Sequence, residues 1–328
     1  MLILELPAAV LLTLGAIFVL LVVASVAVRV IRRRNPDAAA AGKYDELYDR
    51  IRTWWIMVGV FTAAVFLNRG ISLAFFALMS FLAMKEYFSL IPTRRADRRV
   101  LFWAYLAIPI QYAWIATQWY DLFLIFVPVY GFLFIPMRLV LSAKTEGFLR
   151  SAATIHWGMM VTLFCISHAA ALLILPTPTE HVAPERLREL GDSPVGPGLL
   201  LYLVVLTQGN DVAQYIWGKT LGRRKIAPTV SPGKTWGGFL GGVATTTLIA
   251  ALLGPLLTPL DWAWSLLSGL LIGVAGFVGD VTISALKRDL GIKDTGQLLP
   301  GHGGLLDRID SLTYTAPLFY HLVSYRLY

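Results

Sequence analysis

The 328-residue chain is 57% hydrophobic and only 15% charged, with a mean hydropathy of +0.66. Soluble domains sit nearer a quarter charged, so this apolar surplus exceeds what one globular core buries and lipid must solvate much of the surface. The net charge of +8 falls mostly in short links between apolar runs, which argues for membrane topology and anionic lipid phosphate and against nucleic acid. The single cysteine, Cys165, lies inside an apolar run; it cannot form an intrachain disulfide and carries no metal-site pattern.

The chain opens on an uncharged stretch, 7–28, preceded by Glu5 and by no Lys or Arg. A secretory leader needs the reverse charge order, so this reads as a retained first span. Nine further apolar segments follow, at roughly 53–68, 70–90, 100–120, 122–141, 152–176, 196–217, 236–257, 262–284 and 311–327. A span takes ~20 helical residues, which makes the second and the last the weakest candidates. The runs are continuous rather than alternating, and in lipid only helices or closed barrels satisfy the backbone. The expected fold is therefore all-α, a polytopic integral membrane protein of about ten transmembrane helices.

The links between these segments set the orientation. Arg29, Arg32–Arg34, Lys43, Arg50 and Arg52 follow the first segment, and Arg94, Arg95, Arg98 and Arg99 follow the third. Arg138, Lys144 and Arg150, then Lys219, Arg223, Arg224, Lys225 and Lys234, then Lys287, Arg288, Lys293 and Arg308 all fall on the same side if ten helices alternate. That side is expected to be cytoplasmic, with both termini on the opposite face. Three regions follow: an N-terminal bundle of about six helices (1–176), an external link (177–195) rich in Pro and Glu, and a C-terminal transmembrane domain (196–328) dense in Gly, Asp, Lys and Arg. No internal repeat is visible, which disfavours a transporter built from inverted halves.

Three clusters carry chemistry, all in the last third of the chain. From Gln208 to Lys219, at the inner end of the seventh segment, Gln208, Asp211 and Tyr215 recur at helical spacing. An ionised Asp in a span costs ~3 kcal/mol unless paired, metal-bound or wet. Asp211 thus reads either as functional or as a packing hydrogen bond, with a local pair to Lys219 as a further option. The second cluster, Gly222 to Gly238, contains Ser-Pro-Gly-Lys-Thr but has Pro228 where a phosphate-cradling loop needs its first glycine. What remains is a rigid basic loop placing Ser231, Lys234 and Thr235 before a helix start, where anions are favoured. A simple positive-inside anchor explains its charge but not its Pro/Gly/Ser pattern.

The third cluster runs from Gly279 to Asp310. Asp280, Ser284 and Lys287 share one helical face, a Gly-rich turn at 300–304 lets backbone approach a ligand, and Asp307, Asp310 and Tyr314 share a face at the start of the last helix. Carboxylates in an oxygen-only setting suit Mg²⁺, which binds through one or two of them plus substrate phosphates. Lys, Arg and Asp around one cavity is what nucleotidyl transfer needs, because charge neutralisation does most of the work. His302 alone reads as a turn residue, and His156, His168 and Cys165 as packing residues.

This third cluster resembles the signature of phosphatidate cytidylyltransferases. Ser284, Lys287, Arg288, Lys293, Asp294, Gly296, His302, Gly303, Gly304, Asp307, Arg308 and Asp310 fit that pattern without a gap. The second cluster is similar to the family's Ser-Pro-x-Lys-Thr loop and the first to its Asp-x-x-x-Tyr-x-x-Gly stretch, though Gln214 stands where bacterial members have a small residue. The resemblance covers about 205–315 and implies transfer of CMP from CTP to phosphatidic acid at the cytoplasmic membrane face. It also implies Mg²⁺ held by Asp280 and Asp307, a second cation such as K⁺, and a homodimer. On this reading Asp211, Lys234, Lys287, Arg288, Asp307 and Arg308 serve the reaction. Lys219, Arg223, Ser231, Lys234, Thr235, Ser284, Lys293, Asp294, His302, Gly303 and Gly304 serve substrate binding. The alternatives are the same chemistry on another lipid, such as a polyprenyl glycerol phosphate, a CTP-dependent polyprenol kinase, or an ion-coupled transporter.

Overall fold

The computed structural model describes residues 6–36, 44–66, 68–92, 98–141, 146–178, 194–296 and 303–328. Most of the segment 177–195, expected to be an external link, and His302 lie outside the described residues. Among those described, ten long helices follow one another: α1 (Ala8–Arg34), α2 (Asp45–Phe66), α3 (Arg69–Leu90), α4 (Arg98–Ala116), α5 (Tyr120–Val140), α6 (Phe148–Leu172), α7 (Gly196–Thr220), α8 (Trp236–Leu257), α9 (Trp262–Asp289) and α11 (Leu312–Leu327). The short α10 (Leu306–Ile309) precedes the last. No strand occurs among the described residues, and Lys225 and Thr235 form only an isolated antiparallel bridge.

Each of the ten apolar segments falls on one of these helices. Six of them, α1, α3, α5, α6, α8 and α9, are long and apolar enough to cross a membrane. The others depart for visible reasons. α11 has 16 residues, about 24 Å at 1.5 Å per residue, short of a hydrocarbon core of about 30 Å. α2 opens with Asp45, Asp49, Arg50 and Arg52, α4 with Arg98 and Arg99, and the second half of α7 carries Gln208, Asn210, Asp211 and Gln214.

Local signals place the helix starts. The Asn68 side chain accepts from the Gly70 N–H (2.7 Å), Thr235 from Gly238 (3.1 Å) and Asp261 from Trp264 (2.9 Å), each satisfying an otherwise orphaned donor. α5 widens into a π-turn at Phe126–Gly131, around Pro128, which lacks the N–H an α-turn would use. A second π-turn, Met160–Phe164, interrupts α6 just after Gly158, which lies flat against the Tyr87 ring.

Helices α7, α8 and α9 form the most intimately packed unit. Small residues allow this: a Cβ on Gly238 would lie 2.7 Å from the Gln214 carbonyl, and one on Gly242 only 2.4 Å from Gln214 Cγ. On the other side Gly269 meets Ala250 and Gly273 meets the Val243 backbone. Such close approach supplies dispersion where lipid offers no hydrophobic contrast between helices. Asn210 ties the three together, donating to the Gly273 carbonyl (3.2 Å) and accepting from the Thr246 hydroxyl (3.1 Å). Interhelical bonds of this kind contribute roughly 0.6–2 kcal/mol each.

The N-terminal helices meet the C-terminal ones mainly where α6 packs on α11. There His168 is buried against Phe123, Phe164 and Tyr320, with Nδ1 2.7 Å from the Phe164 carbonyl, a packing role. At one end of the bundle, Arg326 reaches Asp261 (3.4 Å) and the Tyr328 hydroxyl donates to the Pro176 carbonyl. At the other end converge the last turns of α3, α7 and α9, the start of α8, and α10. Exposed Leu12, Val19, Leu20 and Val23 on α1 leave an apolar outer face.

Candidate active site

Two lysine–aspartate bridges organise this second end. Lys234, one residue before the Thr235 cap of α8, contacts the Asp280 carboxylate on α9 and donates to Gln214 Oε1 on α7 (3.0 Å). It also lies over the Phe277 ring of α9 at 5.7 Å, so the residue leading into α8 is met by side chains of both α7 and α9. Two turns further along α9, Lys287 donates to Asp307 Oδ1 on α10 at 2.7 Å. Between them the Ser284 hydroxyl points back to Asp280 Oδ1 (3.3 Å). The expected face of Asp280, Ser284 and Lys287 therefore exists, with Asp280 meeting the residue before α8 and Lys287 meeting α10.

Asp307 is the most heavily engaged carboxylate. Its Oδ2 accepts from the N–H groups of Thr295 (2.8 Å) and Gly304 (3.0 Å), with the Thr295 hydroxyl at 3.0 Å. Burial works against its charge, but the Lys287 hydrogen bond, the two amides and the Lys287 charge hold the carboxyl below the usual carboxylate range. Gly303 supplies the turn with φ +78°, a conformation L side chains rarely adopt, and a Cβ there would also lie 2.7 Å from Asp307 Oδ2. The Gly303–Gly304 pair thus lets backbone amides wrap the carboxylate.

Deeper in, Asp211, Asp280 and Asp310 act on one another electrostatically. Burial, then the charges of Asp280 and Asp211, push the Asp310 carboxyl well upward, opposed by the Ser311 amide and Arg308. Asp211 accepts from the Ser311 hydroxyl, 3.1 Å from both oxygens. Lys219 instead lies over the Tyr215 ring at 5.7 Å, so the local Asp211–Lys219 pair considered from sequence is not what the structure builds. Among the described residues, no three His, Cys, Asp or Glu side chains gather into a ready-made metal cage. Asp280 and Asp307 nonetheless fit Mg²⁺ by donor chemistry, being oxygen donors that each already hold one positive charge.

The remaining sequence candidates divide. Ser231 closes the basic loop, donating to the Ala227 carbonyl (2.9 Å) and accepting from the Lys234 N–H (3.1 Å). Thr235 is buried and its hydroxyl accepts from the Gly238 amide, so that hydroxyl is committed to the helix start. Arg288 is exposed and reaches the Val230 (3.1 Å) and Ile292 (3.4 Å) carbonyls, bracing the second cluster against the third. Arg308 offsets the charges of Asp211 and Asp310, and its Nε is buried with no partner among the described residues. Lys219, Arg223, Lys293 and Asp294 lie exposed around the site.

Sequence reasoning missed Glu86 and Thr295. Glu86, on the last turns of α3, accepts from the N–H groups of Leu305 (2.8 Å) and Leu306 (3.1 Å) and from the Thr295 hydroxyl. One signal was available: Glu86 is a carboxylate inside an apolar segment, where ionisable residues are costly and seldom idle.

Comparison with known proteins places the chain in a family. A model of the cytidylyltransferase family matches residues 48–326. The uncharacterized protein YnbB of Escherichia coli (strain K12) is 46% identical over 316 residues, covering 96% of this chain and 99% of its own length. Phosphatidate cytidylyltransferases are similar over shorter stretches. The Pseudomonas aeruginosa protein is 45% identical over 128 residues (38% of this chain, 47% of its own), and the Synechocystis protein 40% over 153 residues (45% and 51%). The matches therefore span about half the length of those two proteins. A membrane-embedded bundle with lysine–aspartate bridges at one end, and a family match across most of the chain, lead to one conclusion: this protein is a nucleotidyltransferase belonging to the cytidylyltransferase family.

Proposed function

We propose that the protein is a phosphatidate cytidylyltransferase, converting CTP and phosphatidic acid to CDP-diacylglycerol and pyrophosphate at the cytoplasmic face of a bacterial inner membrane. The observation that carries this reading is the pair of bridges Lys234–Asp280 and Lys287–Asp307 at one end of the bundle. Shared sequence with phosphatidate cytidylyltransferases supports the choice of lipid.

In the reaction, an oxygen of the lipid phosphate attacks the α-phosphorus of CTP, the α–β phosphoanhydride bond breaks, and pyrophosphate leaves with its electron pair. The nucleophile is already anionic, so no strong base is required; the barrier is repulsion between two anions. Lys234, Lys287, Arg288 and Arg308 reduce it. An arriving phosphate draws each lysine from its aspartate, and Asp280 and Asp307 would then hold Mg²⁺. When bound, the ion supplies charge neutralisation on the phosphates. Ser231, Ser284, Lys219, Arg223, Lys293, Asp294, His302, Gly303 and Gly304 complete the substrate contacts, with the enzyme acting as a homodimer.

The test is product formation by purified protein with labelled CTP, Mg²⁺ and phosphatidic acid, beside a polyprenyl glycerol phosphate. CDP-diacylglycerol is expected. Product with only the other lipid keeps the chemistry and overturns the acceptor; no product with either overturns the reading.

A further inference from the structure

The contacts of Glu86 are not explained by membrane packing. Its carboxylate reaches across 219 residues to the Leu305 N–H, takes the Leu306 N–H on its other oxygen, and accepts the Thr295 hydroxyl. Thr295 in turn gives its amide to Asp307. Two carboxylates thus grip one turn from opposite sides, Asp307 from within the signature segment and Glu86 from the N-terminal bundle. The single Thr295 hydroxyl lies between them. Space is kept for this grip: a Cβ on Gly304 would lie 2.1 Å from Glu86 Oε1, and one on Gly296 would lie 3.4 Å from the same carboxylate. A charged acceptor makes stronger hydrogen bonds than a neutral one, and two backbone amides and one hydroxyl converge here on one carboxylate.

We propose that Glu86 is a positioning residue for cytidylyl transfer. It fixes the turn at Gly303–Leu306, and through Thr295 it sets where Asp307 presents its oxygens to Lys287. The N-terminal helices are on this account part of the active-site scaffold as well as a membrane anchor. The inference rests on the proposed reaction, since turnover is its first readout.

The test compares full-length wild type with Glu86→Gln, Glu86→Asp, Thr295→Val and the Glu86→Gln/Thr295→Val double variant. Glu86→Gln keeps the volume and one acceptor; Glu86→Asp keeps the charge. A catalytic group displaced by about 1 Å loses on the order of 10²-fold in rate. Glu86→Gln is therefore expected to lower kcat up to that extent with KM for CTP little changed, and Glu86→Asp to recover part of the loss. Thr295→Val and Glu86→Gln should be non-additive, because both cut one chain of contacts. Hydrogen exchange should quicken over 294–296 and 303–307 and stay unchanged in α8 and α9.

Wild-type kcat in Glu86→Gln, or effects that simply add in the double variant, overturns the proposal. So does loss of protection throughout the bundle, which would make Glu86 a folding residue only. The exchange arm needs no substrate. If wild type makes no CDP-lipid, the proposed reaction fails, and unchanged exchange over 294–296 and 303–307 then sinks the brace separately.

Discussion

Lys287 Nζ lies 2.7 Å from Asp307 Oδ1, with 13% and 4% of the two side chains exposed, and this pair fastens the end of α9 to α10. The other Asp307 oxygen is held by backbone amides, so the carboxylate has one fixed side and one side whose partner can be exchanged. An ammonium that can leave for a phosphate, beside a carboxylate that stays in place, suits a site that must first attract and then release polyanions.

Replacing Asp307 by Asn keeps the shape and removes the charge. Turnover with labelled CTP and phosphatidic acid should fall by about 10²–10³-fold, the scale for losing one preorganised electrostatic group. Breaking one side of a buried pair costs ~3–5 kcal/mol. The partial exposure of Lys287 places this case at the lower end, so the variant should still purify as a folded protein. A wild-type rate would remove Asp307 from the site.

The same carboxylate predicts an acid limb of stability. Its folded value lies below the ordinary 3.8, so the folded state holds the proton less tightly than the unfolded chain does. The contribution is complete above that ordinary value and is lost as pH falls through the lower folded one. Thermal midpoints in detergent, followed from about pH 5 to about pH 3, should show the gap between wild type and Asp307→Asn closing. A constant gap would contradict the assignment.

Lys234 and Asp280 should behave as a unit. Lys234→Met and Asp280→Asn are each expected to cut turnover by about 10²-fold or more. The double variant should be far less impaired than the product of the two, because the groups touch. Independent losses would show that the bridge has no part in the reaction.

The Gly304 position offers a steric test. Gly304→Ala would set a Cβ 2.1 Å from Glu86 Oε1 and 2.4 Å from Thr295 Oγ1, so the turn must open and activity should drop sharply. Gly209→Ala, in the interior of α7 with nothing within 4 Å, is the matching control. It should leave turnover intact and gain up to ~1 kcal/mol of helix propensity. Equal behaviour of the two variants would argue against a shaped turn.

Removal of divalent cation by chelation should abolish CDP-lipid formation, and Mg²⁺ should restore it, since oxygen donors such as Asp280 and Asp307 suit that ion. Full activity in chelator would overturn the metal assignment.

Much of this protein is local in origin and therefore legible. Runs of apolar residues about a span long demand helices because lipid offers no other partner for the backbone, and each expected segment coincides with one. The 3.6-residue period alone puts Asp280, Ser284 and Lys287 on one face. The ungapped signature from Ser284 to Asp310 pointed to the cytidylyltransferase family, which the match over residues 48–326 then showed. Thr235 was placed at a helix start from sequence, although its hydroxyl there caps α8.

The sequence by itself determined the helical segments, the amphipathic faces and the kinds of charged group available. Only the tertiary structure decided which charge meets which: Lys234 with Asp280 and Gln214, Asp211 with Ser311, and Glu86 with a turn more than two hundred residues away. Helical spacing reports which side chains share a face within one element, whereas these partnerships depend on which helix ends the packed bundle brings together. That packing is set by non-directional apolar contact and by glycines such as Gly238 and Gly242 at the crossings, which encode closeness without naming the partner.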